Sequence, residues 1–420
     1  MRFLALAASA FALAGCVSVD TDAAGAIEAM KRGDFAAAEE WSVDLADSHY
    51  SKNLGMVEAG RVSMLSGDFV KADSWFRRGV DTAVDRKEQN PKIKLGDVGN
   101  TVLASTITDD RTREYYLPPY ELNLALQYGI LSQLFAGRRD DAMADARLAV
   151  YVQDHLADEY GPDVAKASMS SDRGAQRLYD DQGGNLQALI AETRCSWENP
   201  VLWWLTGVLF ETDGDSEMAW QSYRKAAAIL PRNAVFSNDC ARADHWTAPK
   251  PGRARLVAIR DRGFVPMRKS VKVPVPIYTA MSIDIPTYDA NQCVRTPDTA
   301  LDVLALGARD LKEHLPGIIA RNITRAATQA AAQAVVNNNG NEYAQLGVLI
   351  GNAVISAMRR ADTRSWRTLP ASVEVWEDND MAPGDYQVFG EKVSLAAGET
   401  KLLWVAEFGG PRISRTIKLK

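Results

Sequence analysis

The sequence predicts an α+β protein: an N-terminal α-solenoid of helical hairpins, then a small C-terminal antiparallel β domain with an apolar helical hairpin. Two patterns support this fold class. Residues 16–245 carry apolar side chains at helical spacing with Gly-Asp turns between segments, whereas alternating side chains begin near residue 253. A proline-containing joint at 246–252 separates the patterns, so we expect domains at 16–245 and 246–420.

The first fifteen residues are typical of an export signal. Arg2 precedes an apolar core of about ten residues, too short for a membrane-spanning helix, which needs about 20. The core ends in Leu-Ala-Gly-Cys at 13–16, which resembles the bacterial lipobox, whose cysteine becomes the acylated first residue of the mature chain. We therefore expect residues 1–15 to be removed and Cys16 to be lipidated. The alternative is a plain secretory signal with an incidental cysteine.

Composition and motifs exclude several functions. With 48 basic and 54 acidic residues the chain lacks the basic excess that nucleic-acid binding needs. No nucleophile elbow, phosphate-binding loop or dinucleotide fingerprint occurs, so the sequence predicts no catalytic residue, cofactor or metal. A glycosidase needs only two carboxylates, so this class stays open. The histidines lack metal-ligand spacing: His49, His155, His245 and His314.

The segment 199–233 predicts one repeat unit of two antiparallel helices. Small residues stand where the helices would approach closely, aromatic residues fill the space between them, and a proline ends the second helix. These positions resemble the tetratricopeptide repeat, and weaker copies precede them. Ordinary helical hairpins with Gly-Asp turns are the alternative. The repeat-defining residues are Trp203, Gly207, Phe210, Gly214, Ala219, Tyr223, Ala226 and Pro231.

A tyrosine cluster interrupts the repeats. Pro118 and Pro119 would end any helix that precedes them in the sequence. They are surrounded by three tyrosines, Tyr115, Tyr116 and Tyr120. Stacked helical repeats commonly bind a peptide on their concave face. The cluster is either a contact surface for a protein or peptide partner or core between two repeat units.

After residue 245 we expect strands at 253–285, helices at 300–358 and strands at 371–420. Pro316 should bend the first helical segment. Gly347 and Gly351 have small-xxx-small spacing in an apolar helix at 344–358. Three interpretations compete for this helix: a buried core hairpin, an interface with a partner or a second copy, and shallow insertion into lipid.

Two further features concern site residues. Arg364 and Trp366 lie in "ADTRSWRTLP", 361–370, and either contact a partner or belong to an ion-paired joint between helix and sheet. In an oxidising compartment Cys195, Cys240 and Cys293 allow one disulfide. Cys195 and Cys240 lie on either side of a predicted pair of helices. We therefore expect these two cysteines to form the disulfide.

The order of motifs resembles a family of uncharacterised bacterial lipoproteins with tetratricopeptide-like repeats. The shared motifs are the lipobox, "YELNLALQYG" at 120–129, "NP" at 199–200 with its helical pair, "GFVP" at 263–266 and "ADTRSWRTLP". Together with Val17 after Cys16, the resemblance implies anchoring to the outer membrane on the periplasmic side.

The resulting hypothesis is a lipid-anchored periplasmic scaffold that binds a protein partner in the cell envelope, with a role in envelope or peptidoglycan biogenesis. Two alternatives remain. One is an envelope enzyme acting on peptidoglycan or glycan through a carboxylate site that the sequence does not reveal. The other is a structural lipoprotein that assembles with itself through its apolar helices.

Overall fold

The computed structural model describes most of the chain as a mixture of helices and strands. Cys16, Gly347 and Gly351 lie outside the described residues, as does Cys293. The side chains of residues 18–21, 159 and 328–338 are likewise left undescribed. The described residues are 18–85, 91–94, 113–162, 164–165, 177, 179–181, 186–190, 193–245, 250–274, 282–289, 295–338 and 361–420.

Helices dominate the first part of the chain, and most of them pack against the helix that precedes them in sequence. A π-helical turn, Leu156–Tyr160, extends the sixth helix. The helices are α1 (Ser18–Lys31), α2 (Phe35–Asp47), α3 (Lys52–Leu65), α4 (Phe69–Ala83), α5 (Pro119–Phe135), α6 (Arg139–His155), α7 (Gln187–Ile190), α8 (Pro200–Asp213), α9 (Ser216–Ile229) and α10 (Ala234–Asp244).

The Gly-Asp turns have a common local geometry. Gly67 and Gly214 have φ values of +87° and +90°, a conformation that glycine adopts without steric cost. The next residue caps the following helix: Asp68 accepts a hydrogen bond from the Lys71 N–H, and Asp215 accepts one from the Met218 N–H. One dipeptide therefore ends one helix and starts the next.

Close contact between paired helices explains the glycines inside them. A Cβ on Gly207 would lie 2.7 Å from ring atoms of Tyr223, and a Cβ on Gly60 would lie 2.7 Å from the Phe76 ring. The two pairs α3/α4 and α8/α9 thus use the same arrangement, a glycine on the first helix beneath an aromatic ring on the second. Pro231 follows the end of α9.

The second part is built on a mixed sheet of five strands in the order β11-β10-β3-β7-β6. Strands β4 with β5 and β8 with β9 form separate antiparallel ribbons, as does the short pair β1 with β2. The strands are β1 (Val84–Asp85), β2 (Lys92–Ile93), β3 (Ala254–Arg262), β4 (Lys269–Pro274), β5 (Ser282–Thr287), β6 (Thr299–Asp302), β7 (Ser372–Met381), β8 (Gly384–Val388), β9 (Glu391–Leu395), β10 (Thr400–Glu407) and β11 (Ile413–Lys418).

The expectation of an entirely antiparallel β domain is wrong at one position. Strands β3 and β10 are parallel, with Leu402 opposite Val257. Parallel neighbours need a crossover connection, and here the chain between them is long and contains helix α11, Val303–Asn338. Pro316 lies inside this continuous helix. Among the described residues no helix is both long and apolar enough to cross a membrane.

One hydrophobic core extends through both parts of the chain. It joins residues of the early helices, such as Ile27, to strand residues such as Trp404. All residues of α5 are buried, as are residues 53–65 of α3 and 200–210 of α8. These three helices are covered by their paired helices on one side and by strands or C-terminal segments on the other. The division at residue 245 stays a prediction.

A buried cluster of charges connects α8 and α10 to the sheet. Arg255 of β3 lies 2.7 Å from Glu211 and 3.4 Å from Asp239, and Arg242 also pairs with both carboxylates. Burial alone would raise the pKa of Glu211, but hydrogen bonding with Arg242 and the charge of Arg255 lower it to about 2. Glu211 is therefore ionised at neutral pH, and its ion pair with Arg255 connects α8 to β3.

Candidate functional site

Residues 361–371 have no regular secondary structure and contact helices α3 and α5, and Glu58 of α3 binds their backbone. Its carboxylate accepts hydrogen bonds from the N–H groups of Arg367 (2.6 Å) and Thr368 (3.1 Å) and from the Thr368 hydroxyl (2.6 Å). Burial raises the pKa of Glu58 to about 7, although these hydrogen bonds oppose the shift. Glu58 therefore holds the segment in place and titrates near neutral pH.

A second buried glutamate binds the same segment one residue earlier. Glu121 of α5 accepts hydrogen bonds from the Trp366 N–H (2.9 Å) and from the hydroxyls of Tyr115 and Tyr120 (2.8 Å each). Burial is the largest influence on the carboxyl and raises its pKa. The polar ends of Tyr115 and Tyr120 thus point into the protein, and Trp366 is fully buried.

Arg364 ties this segment to two loops of the helical part. Its guanidinium pairs with Asp362 at 2.8 Å and donates hydrogen bonds to the carbonyls of Tyr50 (2.8 Å) and Arg113 (3.1 Å). It also lies over the Tyr115 ring, with 5.4 Å from Cζ to the ring centroid. These contacts fix the segment to the two loops, and Arg364 also lines the edge of a cavity.

The cavity has a volume of about 580 Å³, within the range of small-molecule and peptide sites. Its walls come from parts of the chain that are far apart in sequence. Tyr116 stands on its wall with 42% of its surface exposed. The walls are formed by residues within 93–94, 113–119, 284–286, 310–322 and 361–364, together with Tyr160 and Arg268.

Arg268 provides the positive charge on the inner wall. Its guanidinium donates to the Tyr288 hydroxyl (2.9 Å), to the Arg364 carbonyl (3.3 Å) and to Asp310 Oδ2 (3.3 Å). Its side chain is only 11% exposed, and that of Asp310 is 6% exposed. The pair is thus a largely desolvated salt bridge at the bottom of the cavity.

His314 lies one turn beyond Asp310 on the same face of α11. Its Nδ1 is 2.8 Å from the Asp310 carbonyl oxygen and 3.4 Å from Asp310 Oδ1, and its Nε2 is 3.2 Å from the Tyr160 hydroxyl. Burial raises the pKa of Tyr160. The phenol therefore stays protonated and acts as a hydrogen-bonding group rather than as a nucleophile.

Some sequence-predicted contact residues meet at this cavity. Tyr115, Tyr116 and Arg364 line it, whereas Tyr120 and Trp366 are buried behind its wall. That these residues contact a partner stays a prediction, as does any role of Gly347 and Gly351, which lie outside the described residues.

Sequence reasoning missed the inner wall of the cavity: Tyr160, Arg268, Asp310 and His314. The only local signal was the i, i+4 spacing of Asp310 and His314, which places both on one helix face. No motif brings Arg268 or Tyr160 to that face, because both come from other parts of the chain.

The predicted disulfide between Cys195 and Cys240 is absent, and both residues are free thiols. The reason is their different surroundings. Cys195 lies near Glu198 and Glu313, whereas Cys240 on α10 lies near Asp244. Burial raises the pKa of both thiols, so neither is an activated nucleophile.

The described part of the chain holds no group of three or more His, Cys, Asp or Glu side chains arranged to bind a metal ion. In sequence, the chain matches no protein-family model and has no significant match among curated proteins. The cavity and its chemistry are therefore the features from which a function can be argued.

Proposed function

We propose that the protein is a lipid-anchored binding protein of the bacterial cell envelope, attached through Cys16 to the outer membrane and facing the periplasm. Its mature part binds a protein partner and serves in envelope or peptidoglycan biogenesis. The lipobox-like sequence at 13–16 supports the anchor, and the resemblance in motif order supports the location.

The helical part is proposed to be a tetratricopeptide-like solenoid. The recurring Gly-Asp turns and the matching pairs Gly60/Phe76 and Gly207/Tyr223 support this assignment. A solenoid of this kind commonly binds peptides along its inner helices. Here the inner helices contact the chain's own residues 361–371 and the sheet, so the partner has to bind elsewhere.

The observation that carries the proposal is the exposed tyrosine surface beside the cavity. Large apolar side chains are exposed at only three positions in the described part of the chain: Tyr50, Val70 and Tyr116. Two of them are neighbours, since the Tyr50 carbonyl accepts hydrogen bonds from the Tyr115 N–H and from Arg364. Tyrosine and arginine together are typical of the central residues of protein interfaces.

Site-directed photocrosslinking tests the proposal. A photoreactive phenylalanine analogue replaces Tyr116 in one strain and Val70 in another, because Val70 is more exposed (62%) but does not line the cavity. We expect a discrete envelope protein to crosslink at position 116 and not at 70. Equal products at both positions, or none at 116, would contradict the proposal. Mass spectrometry of the N-terminal peptide tests the acylation of Cys16 separately.

A further inference from the structure

Strand β11 forms one edge of the five-stranded sheet. It pairs with β10 on its inner side, and no other strand of the described chain pairs with its outer side. Outside that pair, the described residues form no backbone–backbone hydrogen bond with residues 413–418. Ser414, Arg415, Thr416 and Lys418 are exposed. The outward N–H and C=O groups of such an edge can pair with an added strand.

β11 lacks most of the features that keep another strand away from an edge. Its register with β10 is continuous, from Ile413 opposite Ala406 to Lys418 opposite Lys401, and contains no bulge. The strand has six residues, none of them proline, and half of them are β-branched. Bulges, prolines and very short strands are common protections of an edge, so charge is the one such feature that β11 has.

The charge along this edge is positive. Arg415 Cζ lies 5.7 Å from the centroid of the Phe69 ring, and the guanidinium forms no ion pair with a carboxylate of the described residues. Lys420 likewise forms no ion pair within the described part of the chain. Residues 412–420 contain no acidic residue and four basic ones: Arg412, Arg415, Lys418 and Lys420.

The other two basic side chains have only weak, exposed ion pairs. Lys418 Nζ is 3.4 Å from Glu399, and 59% of the lysine side chain is exposed. Arg412 pairs with Glu391 and Glu407, and its side chain is 42% exposed. Exposed pairs contribute little to stability, so these cations can exchange a carboxylate of the chain for one of a ligand at small cost.

These charges decide between the possible occupants of the edge. A second copy of β11 would place another set of arginine and lysine side chains beside the first, and like charges opposite each other destabilise strand pairing. An extended segment with acidic side chains satisfies the backbone groups and the charges together. Because successive side chains alternate between the faces of a sheet, Arg415 and Lys418 lie on opposite faces, and two acidic residues three positions apart reach both.

We propose that β11 binds an extended acidic segment of a partner protein, which adds a sixth strand to the sheet. Backbone hydrogen bonds align the segment, and its carboxylates pair with Arg415 and Lys418. None of residues 412–420 lines the cavity beside Tyr116, so this surface is separate from the one on which the proposed function rests.

Peptide binding measured by fluorescence anisotropy tests the proposal. The full-length protein in detergent is titrated into fluorescein-labelled octapeptides of alternating valine and threonine, with glutamate at the third and sixth positions of one peptide and lysine at the same positions of the other. We expect the glutamate peptide to bind at least about ten-fold more tightly. Equal affinity for the two peptides, or no binding of the glutamate peptide, overturns the inference.

The double variant Arg415→Glu/Lys418→Glu locates the binding on the protein. It replaces two attractions by two repulsions, so the glutamate peptide should lose about ten-fold or more in affinity and the lysine peptide should gain. Lys52→Glu/Lys272→Glu is the matched control, because both lysines are exposed, lie outside β11 and give the same change in net charge. Equal losses in the two double variants overturn the inference.

N-methylation of the glutamate peptide tests strand pairing on the unmodified protein, and so covers the case in which the double variant disturbs folding. In a paired strand every second N–H faces the neighbour and the intervening ones face away. Methylation of every second amide should therefore cost about three-fold to ten-fold in affinity, and methylation of the intervening amides much less. A uniform response overturns the inference.

Sedimentation of the protein in detergent tests the competing occupant. A dimer that Arg415→Glu/Lys418→Glu dissociates would assign the edge to a second copy and overturn the inference. A crosslinked partner at Tyr116 together with no binding of the glutamate peptide would leave the proposed function standing and remove only this inference.

Discussion

The buried ion pair between Arg61 and Asp261 connects α3 to the sheet and offers the sharpest test of the shared core. Arg61 Nη2 lies 2.6 Å from Asp261 Oδ2, and each side chain is 2% exposed. Asp261 also accepts hydrogen bonds from Trp404 Nε1 (2.9 Å) and from the Tyr128 hydroxyl (3.2 Å). The guanidinium lies 4.2 Å from the centroid of the Tyr128 ring.

Asp261→Asn keeps the shape of the side chain and removes its charge. The guanidinium of Arg61 is then buried without a counter-charge. In addition, one of the groups that donate a hydrogen bond to Asp261 must face the new NH₂ group, which is itself a donor. Breaking a buried pair in this way costs about 3–5 kcal/mol of unfolding free energy. Arg61→Met should cost a similar amount, because it leaves the Asp261 carboxylate charged and buried.

The double variant Arg61→Met/Asp261→Asn shows whether the two residues stabilise the fold through their interaction with each other or independently. With both charges removed, its loss should be no greater than that of either single variant. The coupling energy between the two positions should therefore be at least about 3 kcal/mol. Urea unfolding of the purified protein, followed by circular dichroism, measures all four proteins.

An exposed ion pair serves as the control. Lys225 and Asp154 are 2.8 Å apart with side chains nearly half exposed, so Lys225→Met should change the unfolding free energy by less than about 1 kcal/mol. Losses at Arg61 and Asp261 that simply add in the double variant would refute the reasoning. Two separate unfolding transitions in the unmodified protein would contradict the single shared core.

Two other predictions concern packing and pH. Gly207→Ala should lower the unfolding free energy by about 1–3 kcal/mol, because the new Cβ would meet the Tyr223 ring at 2.7 Å. Gly25→Ala, at an exposed position of α1 with open space where the new Cβ would lie, should instead stabilise by about 0.5–1 kcal/mol, and equal signs for the two variants in urea unfolding would count against this reasoning. The pKa of Glu58 is about 7 in the folded protein and 4.5 ordinarily, so the folded state binds the proton more tightly than the unfolded chain does. Protonation of Glu58 therefore stabilises the fold at low pH, and this stabilisation is lost as the pH rises through 7. Between pH 4.5 and pH 7 the unfolding free energy of the unmodified protein should fall by up to about 3 kcal/mol relative to that of Glu58→Gln. A difference between the two proteins that does not change with pH would disprove the pKa shift.

Local chemistry made the helical pairs predictable from the sequence. Gly214 ends one helix and Asp215 caps the next through contacts within a few residues, so their roles do not depend on the rest of the chain. Gly207 lacks a side chain, which indicates that another helix lies close to it. The arrangement of strands was predictable only in part. The pattern predicted strands within 253–285 and 371–420, but nothing in β3 or β10 states which other strand lies beside it or in which direction.

The cavity could not be predicted as a unit. Tyr116 drew attention as part of a tyrosine cluster, and Arg364 as part of a polar segment. Asp310 carried only its spacing to His314 as a signal, and nothing pointed to its pairing with Arg268, because that pairing depends on how helix α11 packs in the folded protein. Residues that act together through tertiary contacts remain indistinguishable from ordinary surface charges until the fold is known.

The capture of residues 361–371 by buried glutamates has a consequence for how the chain folds. Arg61 meets Asp261 200 positions later, and Arg139 donates a hydrogen bond to the carbonyl of Leu419, 280 positions further along. Contacts of such sequence separation form slowly, because a large loop must close before they contribute. The native surroundings of the early helices are therefore complete only when the C-terminal part of the chain has packed against them. Glu58 and Glu121 find their backbone partners only once residues 366–368 are in place.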